Sequence, residues 1–354
     1  MIDFESNTND FLYSPFISDE ISKNNLEKHL EELNLTGHVF IMSSGTTTNF
    51  LKGYALSKKA ILANARAVNE HLALNMNDSW LCSLPHYHIG GLSIYARAHL
   101  SGAKVITFSE KWNVDTFMQA LEDVQVVSVV PAQCFDLVCA KKSPPKTLKY
   151  LIVGGDYLND SLHRDLINLG WPVIRTFGMT EVCSQLATEK APSKNQLALE
   201  PLAIHKLSVA SDKRLLIESD ALFTGIFYIK DNEFHYDEVK TKHYLSSDLI
   251  QIENGHITPL GRLGSEVKIK GRRVDLFHLQ NQFKEFLYTL ELFDKIQLKT
   301  AQDTRDGLVF NIHSLIELEQ DTRDKILNHL RPHSVKSFQV VKNLSKTELG
   351  KDKN

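Results

Sequence analysis

The segment Trp171–Gln185 (WPVIRTFGMTEVCSQ) combines residue types that can bind a nucleotide and a metal ion. Val173 and Ile174 predict a short buried strand, after which the chain is expected to turn through Gly178 into hydroxyl, carboxylate and amide groups. Open α/β sheets place their ligand crevice where buried strands end in such groups. An aromatic ring can cover a base, a threonine hydroxyl can bond a phosphate or carboxylate oxygen, and a glutamate can hold Mg²⁺. Phe177–Glu181 also fits an ordinary strand, glycine turn and helix start.

A second polar segment, Ser43–Gly53, follows the apolar stretch Val39–Met42, which predicts a strand. Hydroxyl side chains, a flexible backbone and a lysine can surround phosphate oxygens with O–H, N–H and ammonium donors. The segment lacks the G-x-x-x-x-G-K-[ST] pattern, which argues against a Walker-type NTPase, and a polar hairpin loop is the alternative. The candidate phosphate-binding residues are Ser43, Ser44, Gly45, Thr46, Thr47, Thr48 and Lys52.

Three more polar clusters follow predicted strands. The strand Trp80–Leu84 leads into PHYHIGGL, which contains His88, and the strand Tyr150–Val153 leads into Gly154-Gly155-Asp156. The third cluster surrounds Asp248. Exposed turns often carry a pair such as His86 and His88, and without a third ligand nearby the pair does not favour a metal site.

Short apolar strands alternate with helix-like runs through the first half of the chain. Lys104–Phe108 and Val126–Pro131 read as further strands, and Val114–Leu121 and Ser57–Asn75 read as helices, the latter with Ser57 as N-cap. Such alternation predicts βαβ units and a largely parallel sheet. From residue 186 to 244 strand patterns dominate, which predicts a small β-rich part.

Composition limits the function classes. A chain of 354 residues predicts roughly two domains. The N-terminus is acidic and lacks the features of a signal peptide, and no run approaches the ~20 apolar residues of a membrane span. The four cysteines are scattered without metal-site spacing, which indicates reduced thiols and a cytoplasmic location. A net charge of −3 argues against nucleic-acid binding.

Phe177–Glu181 and five further segments, in this order, resemble the motifs of the adenylate-forming superfamily of acyl- and aryl-coenzyme A ligases, luciferases and peptide-synthetase adenylation domains. The six are Ser43–Gly53, Pro85–Leu92, Phe177–Glu181, Tyr244–Leu249, Gly261–Val274 and Leu344–Lys351. The resemblance implies an α/β fold of largely parallel sheets with flanking helices and a small β-subdomain, plus a small α+β C-terminal lid. We therefore expect an adenylation domain at residues 1–263, β-rich over 186–263, and a mobile lid at 264–354.

The resemblance also implies roles for individual residues in binding ATP and Mg²⁺. Glu181 corresponds to the magnesium ligand, Asp248 to the carboxylate that binds the ribose, and Thr180 to the hydroxyl at the α-phosphate. The role of Lys52 stays open, because it stands one position later than the lysine of the family's phosphate loop. The remaining residues expected around the nucleotide are Gly154, Gly155, Asp156, Phe177, Gly178, Met179 and Arg262.

The resemblance also implies which residues catalyse the reaction and which bind the acid and coenzyme A. Lys351 matches the catalytic lysine of the family, and His88 matches the histidine that positions the carboxylate. The expected acid-binding residues are His88, Gly90, Gly91, Ser184 and Gln185, and those expected for coenzyme A are Lys268, Lys270, Gly271 and Arg272. Gly264 stands at the position of the hinge carboxylate, and a glycine readily absorbs a backbone rotation there.

The order FGMTE-x-CSQ is most similar to the ligases that join 2-succinylbenzoate to coenzyme A in menaquinone biosynthesis. We therefore expect a small-molecule ligase that uses ATP, Mg²⁺ and coenzyme A. Three alternatives stay open: another acyl or aryl ligase of this fold, an enzyme that adenylates for a carrier protein, and a degenerate nucleotide-binding module. The combined presence of Glu181, Asp248, Arg262 and Lys351 argues against the last.

Overall fold

The computed structural model describes residues 2–13, 20–42, 50–193, 197–230, 233–269, 272–303, 307–331, 333, 335–342 and 344. The α-helices within these residues are α1 (Glu20–Glu31), α2 (Lys58–His71), α3 (Ile89–Ser101), α4 (Val114–Ala120), α5 (Pro131–Cys139), α6 (Asp160–Asn168), α7 (Leu276–Thr289) and α8 (Gln320–His329). None of the helices in these ranges is long and apolar enough to cross a membrane.

The strands fall into three successive parts of the chain. The first part contains β1 (Asp10–Leu12), β2 (His38–Met42), β3 (Phe50–Ser57), β4 (Trp80–Cys82), β5 (Val105–Thr107), β6 (Val126–Val129), β7 (Tyr150–Val153), β8 (Val173–Met179) and β9 (Ser184–Thr188). The second contains β10 (Glu200–Pro201), β11 (His205–Val209), β12 (Arg214–Ser219), β13 (Gly225–Lys230), β14 (Glu233–Glu238), β15 (His243–Glu253) and β16 (His256–Arg262). The third contains β17 (Glu266–Ile269), β18 (Arg272–Asp275), β19 (Ile296–Asp303), β20 (Gly307–Ser314) and β21 (Val335–Val340).

Helix starts follow local sequence signals. The hydroxyl of Ser57 accepts a hydrogen bond from the amide of Ala60 and caps α2, which confirms the predicted cap. Asn113, Asn159 and Asp275 cap α4, α6 and α7 in the same manner. A short polar side chain at this position satisfies an amide that has no partner inside the helix.

A seven-stranded sheet forms the centre of the fold, in the order β10-β9-β8-β7-β6-β4-β5. The five strands from β4 to β8 are mutually parallel, as predicted, and β9 and β10 are antiparallel. The chain places β5 on one side of β4 and then returns to place β6 on the other side. This reversal of strand order opens a crevice at the carboxyl ends of β4 and β6, where doubly wound sheets bind ligands.

Two largely antiparallel sheets flank this crevice. One has the order β1-β2-β3-β13-β14, and its inner face packs an apolar cluster that contains Val39, Ile41, Tyr54 and Leu56. The other has the order β11-β12-β15-β16. The prediction of a β-rich part after residue 186 is confirmed, although β13 and β14 extend the sheet that contains β3.

The expected turn at Gly178 was wrong. Strand β8 continues through Gly178 to Met179, and the chain turns at Thr180–Val182 into strand β9 and not into a helix. A Cβ atom on Gly178 would lie 2.1 Å from the carbonyl oxygen of Ser184. Gly178 therefore permits close approach of two strands, and the register shifts beside it.

The C-terminal part has its own apolar core, built around Phe283, Leu298, Phe310 and Ile312. Its elements run strand–strand–helix–strand–strand–helix–strand, which agrees with the expected α+β character of this part. Helix α7 also contacts the first part of the chain, where Lys284 Nζ lies 3.0 Å from a carboxylate oxygen of Asp156. A domain boundary at residue 264 and a mobile lid stay predictions.

Candidate functional site

A cavity of about 250 Å³ lies at the carboxyl ends of β4, β6, β7 and β8, against the sheet that contains β2 and β3. Leu84 and His88 line it from the segment after β4, and Val130 lines it from the end of β6. Met42 and Tyr54 contribute from β2 and β3. The predicted site residues that line this one cavity are His88, Gly90, Gly154, Gly155, Gly178, Met179, Thr180, Ser184 and Gln185.

One end of the site, here called the nucleotide end, contains Tyr54, Glu181, Tyr244, Asp248 and Arg262. The hydroxyl of Tyr54 donates to Oε1 of Glu181 at 3.1 Å. Asp248 and Arg262 face each other across β15 and β16, and Arg262 Nε donates to Asp248 Oδ1 at 2.8 Å. The Asp248 carboxylate is buried, whereas the Arg262 side chain is 67% exposed and free to reach a ligand.

Electrostatics link these residues to one another. Burial raises the pKa of Tyr244 to about 12, and the carboxylates of Glu181 and Asp248 add to the shift. Burial also raises the pKa of Tyr54, the negative charge of Glu181 raises it further, and the positive charge of Arg262 opposes the rise. Glu181 and Arg262 therefore act on both phenols and Asp248 acts on Tyr244, which places Glu181 and Asp248 in one electrostatic neighbourhood.

Glu181 has the chemistry of a magnesium ligand. Among the described residues, no cluster of three or more His, Cys, Asp and Glu side chains is present. Mg²⁺ is commonly held by one or two carboxylates together with substrate phosphates and water, so a single carboxylate beside a nucleotide site fits its requirements. The second oxygen of Glu181 is the group that would meet the ion.

Lys52 lies on the same face of β3 as Tyr54. Its ammonium nitrogen is 5.3 Å from the centroid of the Tyr54 ring. The sequence had left open whether Lys52 reaches phosphate. Its position brings a positive charge next to the Tyr54 ring, whose hydroxyl donates to Glu181, and a role at the phosphates stays a prediction.

The opposite end of the site, here called the acid end, contains Ser93, Arg97, Ser184 and Gln185. Arg97 is 1% exposed, and its guanidinium lies 5.6 Å from the ring centroid of Trp80. One terminal nitrogen of Arg97 donates to Ser184 Oγ at 3.0 Å, and Ser184 Oγ in turn donates to Ser93 Oγ at 3.2 Å.

Arg97 is a buried cation without an anionic partner among the residues that the structure describes. Burial lowers its pKa to about 9. Since this value is still above neutral pH, the guanidinium stays charged. Its Nε is buried with no hydrogen-bond partner, and no carboxylate within the described ranges forms an ion pair with it. Because an uncompensated buried charge is costly, a guanidinium on a cavity wall indicates an anionic ligand.

Sequence reasoning missed Arg97, although a signal was present. Helix α3 (IGGLSIYARAHLS) is apolar around its whole circumference except for a few positions. Gly90, Ser93 and Arg97 follow at spacings of three and four, which places them on one helix face. Because Gly90 was a predicted pocket residue, the presence of Arg97 on the same helix face indicated that Arg97 could also line the pocket.

The turn between β8 and β9 has an unusual backbone. Cys183 has φ 58° and Ser184 has φ 132°, both in regions that residues with a side chain rarely adopt. The Cys183 side chain is fully buried, and burial raises the pKa of its thiol. Cys183 is therefore a packing residue, and the strained backbone lies between the predicted site residues Glu181 and Gln185.

Several predicted residues lie away from the cavity. The Asp156 carboxylate pairs with Lys284 and accepts from the amide of Tyr157. Phe177 packs among apolar side chains beside β8, and a Cβ on Gly91 would lie 2.2 Å from the carbonyl oxygen of Pro85. Lys268 is exposed on β17. Predicted residues outside the described part of the structure are Ser43, Ser44, Gly45, Thr46, Thr47, Thr48, Lys270, Gly271 and Lys351, and Arg272 is described only by its backbone in β18.

The sequence pattern of the family described as AMP-binding enzyme matches residues 13–203, more than half of the chain. The chain belongs to this AMP-binding enzyme family. The match spans strands β2 to β10, and therefore both walls of the cavity. Members of an AMP-binding family need a nucleotide site, and the nucleotide end is the candidate for it.

Individual relatives within the family share one name. The chain is 24% identical over 351 residues to a 2-succinylbenzoate–CoA ligase of Staphylococcus epidermidis, covering 92% of this chain and 71% of the relative. It is 30% identical over 205 residues to a 2-succinylbenzoate–CoA ligase of Bacillus cytotoxicus, covering 55% and 42% of the two chains.

The fold is similar to that of a solved structure, o-succinylbenzoate coenzyme A synthetase from Bacillus subtilis in complex with ATP and magnesium ion. The TM-score is 0.71 and the sequence identity 18%, over 89% of this chain and 68% of the other. This likeness shows a shared mixed α/β architecture. The present chain spans about two thirds of the length of the solved enzyme.

Proposed function

We propose that this chain is an ATP-dependent, AMP-forming ligase that activates 2-succinylbenzoate as an acyl-adenylate and transfers the acyl group to coenzyme A in menaquinone biosynthesis. Family membership and the shared name of the relatives support the reaction class. The observation that carries the substrate assignment is the buried guanidinium of Arg97 on the cavity wall, which has no ion-pair partner among the described residues.

The first half-reaction joins the substrate carboxylate to the α-phosphate of ATP. A carboxylate oxygen forms a bond to the α-phosphorus, and the bond to the bridging oxygen of pyrophosphate breaks. Catalysis of such a step depends mainly on alignment and on neutralisation of negative charge. Thr180 and His88 line the cavity where the carboxylate and the α-phosphate would meet, and Thr180 donates its hydroxyl to an oxygen there.

The nucleotide end orients ATP. Asp248 accepts hydrogen bonds from the ribose hydroxyls, and the exposed guanidinium of Arg262 reaches the ribose or a phosphate oxygen. Glu181 would hold Mg²⁺, which supplies positive charge at the phosphates when bound. Tyr54 fixes the orientation of the Glu181 carboxylate by donating to one of its two oxygens. Ser43 to Thr48 and Lys52 would surround the outer phosphates.

The acid end selects the substrate. 2-Succinylbenzoate carries two carboxylates, and only the succinyl carboxylate is activated. The aromatic carboxylate needs a cationic partner in a buried position, and Arg97 on the cavity wall is that cation, with Ser184 and Gln185 alongside. A guanidinium pairs with a carboxylate through two parallel hydrogen bonds, which fixes orientation as well as charge. A fatty acid or benzoate leaves this cation without a partner.

The second half-reaction transfers the acyl group to the thiol of coenzyme A. The sulfur attacks the carbonyl carbon of the acyl-adenylate, and AMP leaves. In this proposal the C-terminal part acts as a lid that rotates at Gly264, where a backbone φ of +86° and open surroundings suit a hinge. Lys351 serves the first half-reaction and withdraws in the second. Lys268, Lys270, Gly271 and Arg272 would contact coenzyme A, and a cytoplasmic location belongs to the same proposal.

Pyrophosphate exchange tests this proposal. The protein should exchange labelled pyrophosphate into ATP only when Mg²⁺ and 2-succinylbenzoate are present, and should form the thioester when coenzyme A is added. Exchange without thioester formation, combined with loading of a carrier protein, would replace coenzyme A by a carrier. Absence of exchange with every carboxylic acid would reduce the chain to a nucleotide-binding module.

A further inference from the structure

Asn64 is a fully buried polar residue on the apolar face of helix α2. It lies three residues after Ile61 and four before Val68, both of which are completely buried. A buried amide on such a face requires hydrogen-bond partners. Its partners are main-chain atoms of the turn between β8 and β9 and of the start of β9, 118 and 121 residues further along the chain.

The Asn64 amide nitrogen donates to two carbonyl oxygens on either side of the strained residues Cys183 and Ser184. The distances are 2.9 Å to Val182 O and 2.7 Å to Gln185 O. The amide assignment follows from the network, since the reverse orientation would place the Asn64 oxygen against two carbonyl oxygens. The side-chain oxygen Oδ1 is left buried without a partner. A buried oxygen without a hydrogen bond destabilises the fold, so an apolar side chain would fill this position at lower cost in free energy.

His205 provides a second support for the same turn. Its Nδ1 lies 2.9 Å from Ser219 Oγ, and its Nε2 lies 3.1 Å from Gln185 O. Ser219 Oγ already accepts from the amide of Ala221, so its hydroxyl is free to donate to Nδ1. The proton of the neutral ring is then on Nε2, which donates to Gln185 O. Gln185 O thus accepts from both Asn64 and His205.

These contacts bridge both ends of the site. Glu181 precedes Val182 in the turn, and Ser184, which accepts from Arg97, precedes Gln185. The carbonyl oxygen of Glu181 is itself held by the amide of Phe223 at 3.0 Å. Without these hydrogen bonds we expect the turn to relax, because the backbone conformations of Cys183 and Ser184 are strained.

We propose that Asn64 is a positioning residue that holds residues Glu181–Gln185 in their strained conformation. It thereby fixes the position of the magnesium ligand Glu181 relative to Ser184 and Gln185 at the acid end. The proposal rests on the proposed function for the role of Glu181. It adds a residue that lies outside the cavity and touches no substrate. Its action is through the main chain of the turn alone.

Two substitutions separate hydrogen bonding from volume. Asn64→Ala removes the donor and most of the side chain, and Asn64→Leu removes the donor but keeps a similar volume on the apolar face. Asn159→Ala is the matched control. Asn159 is also buried, hydrogen-bonds to one backbone group, and leaves one amide atom unsatisfied, but it caps α6 and does not line the cavity.

The first readout is hydrogen–deuterium exchange of the ligand-free protein. Both Asn64 variants should exchange the amides of residues 180–185 about tenfold faster than wild type, because opening of the turn no longer breaks two hydrogen bonds. Asn159→Ala should leave these amides unchanged. Equal protection of residues 180–185 in wild type and Asn64→Leu would overturn the proposal.

The second readout is the affinity for ATP with and without Mg²⁺, measured by calorimetry, with AMP as an internal reference. Both Asn64 variants should lose most of the increase in ATP affinity that Mg²⁺ confers. They should bind AMP with an affinity within about threefold of wild type, because Asp248 and Arg262 lie on another sheet. This readout needs no acid substrate, so it separates the proposal from the choice of 2-succinylbenzoate. An intact gain in Asn64→Ala, or no gain in the wild type, would contradict the proposal.

Discussion

The two ends of the site balance charge in opposite ways. At the nucleotide end, Asp248 pairs with Arg262, Glu181 bonds Tyr54, and the arginine is largely exposed. At the acid end, Arg97 is fully buried, lies over the Trp80 ring, donates to the Ser184 hydroxyl and has no ion-pair partner among the described residues. The first arrangement is complete without ligand and suits a nucleotide common to many enzymes. The second has no anion to balance its buried cation, and we propose that this missing charge selects the acid.

The largest effect is expected from breaking the nucleotide end. Glu181→Gln removes the anionic oxygen proposed for Mg²⁺ but keeps the shape of the side chain. Pyrophosphate exchange should fall by about 100-fold or more with every acid, as when one preorganised charge-stabilising group is lost. Exchange assays at saturating ATP measure this loss.

Glu233→Gln is the control for Glu181→Gln, because Glu233 lies exposed on β14. It should exchange like wild type. If Glu181→Gln also exchanges like wild type, Glu181 is not the metal ligand. A loss restricted to one acid would move Glu181 from the nucleotide end to the acid end.

The next largest effect is expected from breaking the acid end. Arg97→Leu leaves the aromatic carboxylate without a partner, so kcat/KM for 2-succinylbenzoate should fall by about 100-fold, as when one member of a buried charged pair is truncated. Activity with benzoate, which has no second carboxylate, should change by less than about threefold. Arg97→Lys keeps the charge without the planar fork and should lie between wild type and Arg97→Leu. An equal loss with both acids would indicate misfolding around Trp80.

A smaller effect is expected from the polar neighbours of Arg97. Ser184→Ala combined with Gln185→Leu removes a hydroxyl and an amide from the cavity wall but keeps the guanidinium. The preference for 2-succinylbenzoate over benzoate should narrow by about tenfold, corresponding to one or two hydrogen bonds. Competition between the two acids in a single assay gives this ratio. A double variant that only slows benzoate would assign these residues to the reactive carboxylate.

The smallest effect is expected on the pH dependence of stability, through His205, which bonds the main chain of Gln185 at the acid end. Burial lowers the pKa of His205 from 6.5 to about 4, so the folded protein keeps the ring neutral while the unfolded chain protonates it. This contribution to stability is complete above pH 6.5 and is lost as the pH falls toward 4. Between pH 8 and pH 5 the wild type should lose about 2 kcal/mol more unfolding free energy than His205→Gln. Urea titrations at both pH values measure it, and equal losses would mean that His205 is not buried as a neutral ring.

The central sheet was predictable from the sequence because each strand is a compact apolar run. Val126–Val129 and Tyr150–Val153 are bounded by turn or helix signals that local chemistry fixes. The direction of the chain after Gly178 was not predictable in this way. A buried strand was expected to end at the glycine, whereas the partner strand β9 extends it, and that pairing depends on contacts distant in sequence.

The candidate site was predictable where the motif residues themselves line the cavity, as His88, Gly154 and Thr180 do. Arg97 and Asn64 were not found, because each lies on a helix whose pattern reads as apolar core. Their functions depend on what tertiary packing places opposite them. A charged or amide side chain on the buried face of a helix is the sequence feature to examine in similar chains.

The most direct test of the acid end compares two acids that differ by one carboxylate. 2-Succinylbenzoate and 4-oxo-4-phenylbutanoate share the aromatic ring, the ketone and the activated succinyl carboxylate, and only the former carries a carboxylate on the ring. We expect a wild-type kcat/KM about 100-fold higher for 2-succinylbenzoate than for 4-oxo-4-phenylbutanoate, and a ratio close to one in Arg97→Leu. Comparable kcat/KM values for the two acids in the wild type would contradict the assignment of Arg97 and, with it, of the substrate.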